Sequence, residues 1–188
     1  MTLSGSISRL ALATAFILLI PFVAMQFTQE VNWTLSDFIV MGALLFGAGL
    51  TFVLIARQAD SAAYRLAVGV AVTAGLLLVW ANLAVGLIGS EHNPANLLYG
   101  GVLAVALIGA FAAGFRPLGM SRAMFGAALT YALVTMVALF VWTPTGATAE
   151  PHAHLVSVLV SNGVLATLWV ISGWLFRRAN ATNVTQTR

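Results

Sequence analysis

Six long apolar runs, separated by short polar segments, dominate the pattern of the chain. They cover residues 8–28, 37–56, 66–89, 96–115, 122–142 and 154–176. Each run is close to the ~20 residues that an α-helix needs to cross the hydrocarbon core of a bilayer. The pattern therefore predicts an all-α polytopic membrane protein, in which six transmembrane helices form a single domain over residues 1–188.

The polar segments between the runs alternate in charge. One set holds every basic residue: Arg9, Arg57, Arg65, Arg116, Arg122, Arg177, Arg178 and Arg188. The other set holds all three histidines and four of the five acids, while Asp60 falls on the arginine side. Because basic residues of short loops stay in the cytoplasm, we expect both termini inside and three short loops outside.

The amino-acid composition supports a membrane protein and excludes several kinds of chemistry. The chain is 61% hydrophobic and 7% charged, whereas an ordinary soluble domain carries about 25% charged residues. It has no cysteine, which excludes disulfides and thiolate metal sites, and no lysine, which excludes Schiff-base chemistry. The arginines lie at helix ends rather than on a basic face, so nucleic acid is not an expected partner.

The N-terminal run has two interpretations, a first membrane helix and a cleaved secretory signal peptide. Arg9 followed by the apolar residues 10–24 has that general form. Phe22, however, occupies the −3 position of the candidate cleavage stretch, where a small residue is required. We therefore expect residues 1–24 to be retained as the first membrane helix, whereas cleavage would leave five spans.

Titratable residues of the three outer loops predict a polar rim on the outer face. Its members are Glu30, Asp37, Glu91, His92, Glu150, His152 and His154. His152 and His154 can chelate one ion if their segment is extended, whereas on a helix they diverge by about 200°. Imidazoles beside a carboxylate suit Zn²⁺ or Cu²⁺, so a metal site is one hypothesis. Solvated loops and a surface for a partner or small ligand are the alternatives.

Asp37 opens the second predicted helix directly after Ser36, which is a suitable capping residue. An acid in the first turn also complements the positive end of the helix dipole. A capping role is therefore the simplest interpretation of Asp37. The functional alternative is pairing with Asn82 or His92 near the same membrane surface.

Inside the membrane, Asn82 and Asn162 are the strongest polar side chains, and none in the runs is charged at mid-depth. Since buried ionisable residues mark proton relays and ion-coupled pumps, their absence argues against those classes. The two asparagines are expected to join helices by hydrogen bonds or to line a narrow polar path. Ala106, Ala110 and Gly114 form a stripe of small residues that suits helix packing within the chain or in an oligomer.

Three stretches carry a resemblance to known proteins: FTQEVNWTLSDF (27–38), NLAVGLIGSEHNPAN (82–96) and RPLGMSRA (116–123). They resemble a group of small bacterial inner-membrane proteins of unknown function. The resemblance implies a multi-pass protein of the bacterial cytoplasmic membrane, and it implies no activity or catalytic residue.

No catalytic motif of known spacing is present, so the sequence favours a protein without enzymatic activity and predicts no cofactor. The expected function is a small permease-like component or a membrane scaffold or subunit. Its expected partners are membrane lipids, together with a membrane-protein partner or further copies of the chain. The alternative is a metal-binding or lipid-headgroup-active site at the outer rim.

Overall fold

The computed structural model describes residues 3–59, 61–84, 86–88, 94–141 and 151–186, with the backbone alone for residues 141, 151–158 and 182–186. The described chain contains helices and no strand, and its long helices are α1 (Leu3–Phe27), α2 (Leu35–Ala56), α3 (Ala62–Ala84), α4 (Gly100–Ala112), α5 (Pro117–Val141) and α6 (Pro151–Gln186). A 3₁₀ helix, Pro94–Tyr99, runs directly into α4. Six segments are long and apolar enough to cross a membrane, which confirms the predicted all-α class.

Several predicted helix boundaries are corrected by the structure. Helix α3 ends at Ala84 rather than at residue 89, because Gly86 takes a left-handed φ of 70° and donates its N–H to the Ala81 carbonyl, an arrangement that terminates helices. The fourth run is divided between the 3₁₀ helix and α4. Helix α6 extends to Gln186 rather than residue 176. Hydropathy marks the apolar length of a helix, and a helix can continue into water with polar residues.

The chain forms two compact units, Met1–Gln58 and Ala59–Arg188, called unit 1 and unit 2 here. Unit 1 is the α1–α2 hairpin. Its two helices approach closely at Gly42 and Gly49, where an added Cβ would lie 3.3 Å from Leu18 Cδ1 and against the Leu10 side chain. Small residues at such positions let backbones approach, which is a main source of helix association in lipid.

Helix α2 begins one residue after Thr34, which closes a reciprocal capping box with Asp37. The Thr34 N–H donates to Asp37 Oδ2 at 2.7 Å, and the Asp37 N–H donates to Thr34 Oγ1 at 3.4 Å. Thr34, rather than Ser36, is therefore the capping residue. Asp37 satisfies a backbone donor at the helix start, as its capping interpretation requires.

We expect Thr34→Ala to lower the free energy of unfolding by about 1 kcal/mol, because it removes the acceptor for the Asp37 N–H. Thermal unfolding of the purified protein in detergent measures the loss. Thr51→Ala is the control, since the Thr51 hydroxyl donates to the Gly47 carbonyl within α2. Equal losses in the two variants would contradict the capping role.

Unit 2 is a bundle of α3, α4, α5 and α6. Helix α6 packs against both α3 and α5, and α4 packs against α5. The Leu103 side chain on α4 reaches Gly75 on α3, where an added Cβ would lie 3.5 Å from Leu103 Cδ2. One end of the bundle, called the arginine end, carries Arg65, Arg116, Arg122, Arg177 and Arg178.

The α4–α5 turn is sharp because two successive residues, Gly114 and Phe115, take left-handed φ angles of 54° and 58°. The two helices then run in close contact. An added Cβ at Gly109 would lie 2.6 Å from Ala123 Cβ and 3.2 Å from its Cα. On the stripe of small residues predicted from the sequence, Ala106 and Ala110 are buried, at 6% exposure each. Their burial shows that these positions pack within the chain.

Candidate functional site

A cluster of uncharged polar side chains lies buried between the 3₁₀ helix, α5 and α6 of unit 2. The Tyr99 hydroxyl donates to Asn162 Oδ1 at 2.5 Å. The rings of Tyr99 and Tyr131 lie 5.1 Å apart between centroids. Thr135, one turn beyond Tyr131 on α5, donates its hydroxyl to the Tyr131 carbonyl at 3.0 Å. All four side chains are at most 8% exposed.

Three buried polar atoms have no hydrogen-bond partner within the described part of the chain. They are Asn82 Oδ1, Tyr131 Oη and Trp169 Nε1. Tyr131 is fully buried and Trp169 is 2% exposed. Leaving such a group unsatisfied costs about 1–3 kcal/mol, so each one calls for an explanation.

The unsatisfied atoms lie at different depths along the bundle. Phe176 lies at the arginine end, and at 1.5 Å per residue Trp169 lies roughly 10 Å and Asn162 roughly 21 Å farther along α6. Tyr131 is level with Asn162, because both contact Tyr99. Unsatisfied polar atoms therefore begin about 10 Å from Phe176 and continue away from the arginine end.

Asn82 lies farther still from the arginine end. It is eighteen residues beyond Tyr64 on α3, or roughly 27 Å at 1.5 Å per residue. Its Nδ2 donates to the Leu78 carbonyl one turn earlier at 2.8 Å, whereas its Oδ1 is one of the three unsatisfied atoms. The Asn82 amide is thus only half satisfied.

Near the arginine end, by contrast, the buried hydroxyls are satisfied by backbone carbonyls of neighbouring helices. Ser172 on α6 donates to the Ala67 carbonyl on α3 at 2.9 Å. Ser121 on α5 donates to the Gly173 carbonyl on α6 at 2.7 Å. These bonds join α3, α5 and α6 tightly and leave their donors no capacity for another ligand.

At the opposite end, Asn96 organises the segment that follows α3. Its Oδ1 accepts from the backbone N–H groups of Leu87 at 3.0 Å and Ile88 at 2.8 Å. Leu87 and Ile88 are 6% and 4% exposed. The segment 86–88 is therefore folded against the bundle beside the 3₁₀ helix.

The chemistry that this interior offers is hydrogen bonding to an uncharged group. Tyr131 Oη can donate and accept, Trp169 Nε1 only donates, and Asn82 Oδ1 only accepts. The arginines of the described part of unit 2 lie at helix ends, and this part contains no acid. Nothing in the described interior would compensate the charge of a dehydrated ion.

The structure describes only part of the outer rim predicted from the sequence. Glu91, His92 and Glu150 lie outside the described residues. Glu30 and Asp37 lie in unit 1, where the Glu30 N–H donates to Thr28 Oγ1 and Asp37 caps α2. The convergence of the outer loops thus stays a prediction.

Residues 152 and 154 lie in the first turn of α6, and their side chains are outside the described structure. Positions two apart on a helix point about 200° apart, so the extended backbone that joint chelation needs is not the conformation found there. Among the residues described with side chains, no three His, Asp or Glu come together at metal-binding distance. The metal hypothesis stays a prediction.

Sequence reasoning found Asn82 and Asn162 but missed the aromatic members of the cluster. Tyr99 lies near the outer end of its apolar run, where the headgroup level is expected for an aromatic residue, yet its side chain is 1% exposed inside the bundle. Tyr131 lies in the middle of its apolar run, and Trp169 lies seven residues inside the end of its run. Because Tyr and Trp of membrane helices concentrate at the interfaces, these positions away from the run ends were the available signal.

Six helices of membrane-spanning length and a polar cluster buried between the 3₁₀ helix, α5 and α6 define a multi-pass membrane protein with an uncharged polar interior. No family model matches the chain, and no curated protein and no solved structure does either.

Proposed function

We propose that this protein is a small permease-like component that passes or holds uncharged polar solutes in the interior of unit 2. The proposal is carried by one observation, three buried polar atoms that have no partner among the described residues: Asn82 Oδ1, Tyr131 Oη and Trp169 Nε1. In hydrocarbon, an unsatisfied polar group is expensive and is typical of a functional position. A solute with hydroxyl or amide groups would supply the missing partners.

The class of solute follows from the same atoms. They present donors and acceptors without charge, so solutes of the glycerol and urea type fit, whereas ions do not. The resemblance to small bacterial proteins and the arginine distribution favour the bacterial cytoplasmic membrane, with the arginine end inside. In that orientation Asn82 Oδ1 and Tyr131 Oη are nearer the outer face than Trp169 Nε1 is.

The test is solute permeation in proteoliposomes that contain the purified protein. We expect stopped-flow light scattering to report faster equilibration of glycerol or urea than in protein-free liposomes, and no added K⁺ or H⁺ conductance. A flux equal to that of protein-free liposomes for every solute would contradict the proposal. That outcome is the one that a membrane scaffold or subunit predicts.

A further inference from the structure

The arginine end of unit 2 carries a concentrated positive charge. Its five arginines are all exposed, and the described residues of unit 2 include no acidic side chain. Asp60 lies near this end in sequence but outside the described residues, and five arginines outnumber it. Arg178 also stacks over the Trp174 ring, with its guanidinium carbon 3.7 Å from the ring centroid.

Three buried or half-buried residues tie the helices together at this end. The Tyr64 hydroxyl on α3 donates to the Phe115 carbonyl in the α4–α5 turn at 2.6 Å. The Tyr64 ring meets the Phe176 ring of α6 edge-on, with centroids 5.0 Å apart. Tyr64 is 5% exposed and Phe176 is fully buried. Two separate parts of unit 2, the α4–α5 turn and α6, thus converge on Tyr64 of α3.

An arginine directly follows each of the three residues: Arg65 after Tyr64, Arg116 after Phe115 and Arg177 after Phe176. Consecutive α-carbons are about 3.8 Å apart, so the backbones of these arginines are held close to the same contact. The guanidinium of Arg65 donates to the Ala59 carbonyl at 3.1 Å, which orients it. That bond uses one of the five N–H donors that a guanidinium carries.

Exposed apolar side chains flank these arginines. Leu66 follows Arg65 and is 62% exposed, Leu118 lies two residues after Arg116 and is 42% exposed, and Trp174 is 46% exposed. At the end of membrane helices, positive groups match the phosphate of a phospholipid headgroup, and the exposed apolar surface beside them matches its acyl chains. Free phosphate or a soluble polyanion would make no use of the apolar surface.

We propose that the arginine end binds the headgroup phosphate of an anionic glycerophospholipid, with Arg65, Arg116 and Arg177 as its ligands. The planar guanidinium fork donates two parallel hydrogen bonds to phosphate oxygens. The acyl chains lie along Leu66 and Leu118, and Trp174 sits at the headgroup level. This site is separate from the polar interior and does not depend on permeation.

The test is native mass spectrometry of the full-length protein in detergent, titrated with phosphatidylglycerol or phosphatidylcholine. We expect saturable binding that favours phosphatidylglycerol. The double variant Arg65→Gln/Arg177→Gln should bind it about tenfold more weakly, the loss of roughly 1.4 kcal/mol expected when charged hydrogen bonds are removed. The pair Arg9→Gln/Arg57→Gln removes the same charge from unit 1 and should bind as the wild type does.

Arg116→Gln, in the α4–α5 turn, is a second variant with the same expected direction if the double variant fails to fold. Millimolar inorganic phosphate should not displace the lipid. If both double variants bound phosphatidylglycerol equally weakly, general surface charge would explain the effect, and the proposal would be overturned. Equal affinity for the two lipids, or full displacement by inorganic phosphate, would also overturn it.

Discussion

Tyr131→Phe should reduce solute flux in proteoliposomes to the level of protein-free membranes, without lowering the melting temperature of the protein. The change deletes a hydroxyl that is buried and has no partner among the described residues. Removing such a group relieves a desolvation cost of about 1–3 kcal/mol and costs no hydrogen bond. Loss of function with equal or greater stability distinguishes a solute ligand from a structural group.

Tyr99→Phe is the matched control, because it makes the same chemical change one ring away. Its hydroxyl donates to Asn162 Oδ1 at 2.5 Å, so its removal breaks a bond between the 3₁₀ helix and α6. We expect a loss of about 1–3 kcal/mol in the free energy of unfolding. Equal destabilisation by the two variants would show that the Tyr131 hydroxyl also has a structural partner.

Gly109→Val should cause the largest loss of stability of any substitution considered for this protein. The nearest atoms to an added Cβ are Ala123 Cβ at 2.6 Å and Ala123 Cα at 3.2 Å. Neither is the end of a flexible side chain, so α4 and α5 must separate. We expect a loss of about 3 kcal/mol, measured as thermal or denaturant-induced unfolding in detergent.

Gly163→Val on α6 is the control, because an added Cβ there meets no atom within 4 Å. Its effect should be small. Since the glycine-to-valine change in helix propensity is shared, the difference between the two variants isolates the close approach of α4 and α5. A similar stability for both variants would contradict that approach.

The fold class was predictable because membrane-spanning helices can be recognised by their apolar composition and their length. The six apolar runs match the six helices, and the errors lie at their ends. Residue 89 was predicted as the end of α3, but the helix ends at Ala84 because Gly86 takes a left-handed φ angle. Hydropathy does not reveal the φ angle of a single residue. Helix α6 was predicted too short because its last turns are polar.

The site was predictable only in part, for a related reason. Asn82 and Asn162 stand out because amides are rare in apolar runs. Tyr131 and Trp169 stand out less, because their only signal is a position away from the ends of their runs. Which of these groups has a partner depends on the rotation of each helix and on contacts as distant as 63 positions, as between Tyr99 and Asn162. Spacing along one helix does not carry that information.

Cysteine labelling tests the central claim, a hydrated polar interior in unit 2, most directly, because the chain has no native cysteine. Thr135→Cys places a thiol in the cluster, and Ser172→Cys places one near the arginine end. The native side chains at both positions are buried. A membrane-impermeant thiosulfonate should label Thr135→Cys from the side opposite the arginine end and should leave Ser172→Cys unlabelled. If Thr135→Cys resists labelling from both sides while the positive control Asn32→Cys, exposed in the α1–α2 loop, is labelled, the interior is dry and the proposed permeation is wrong.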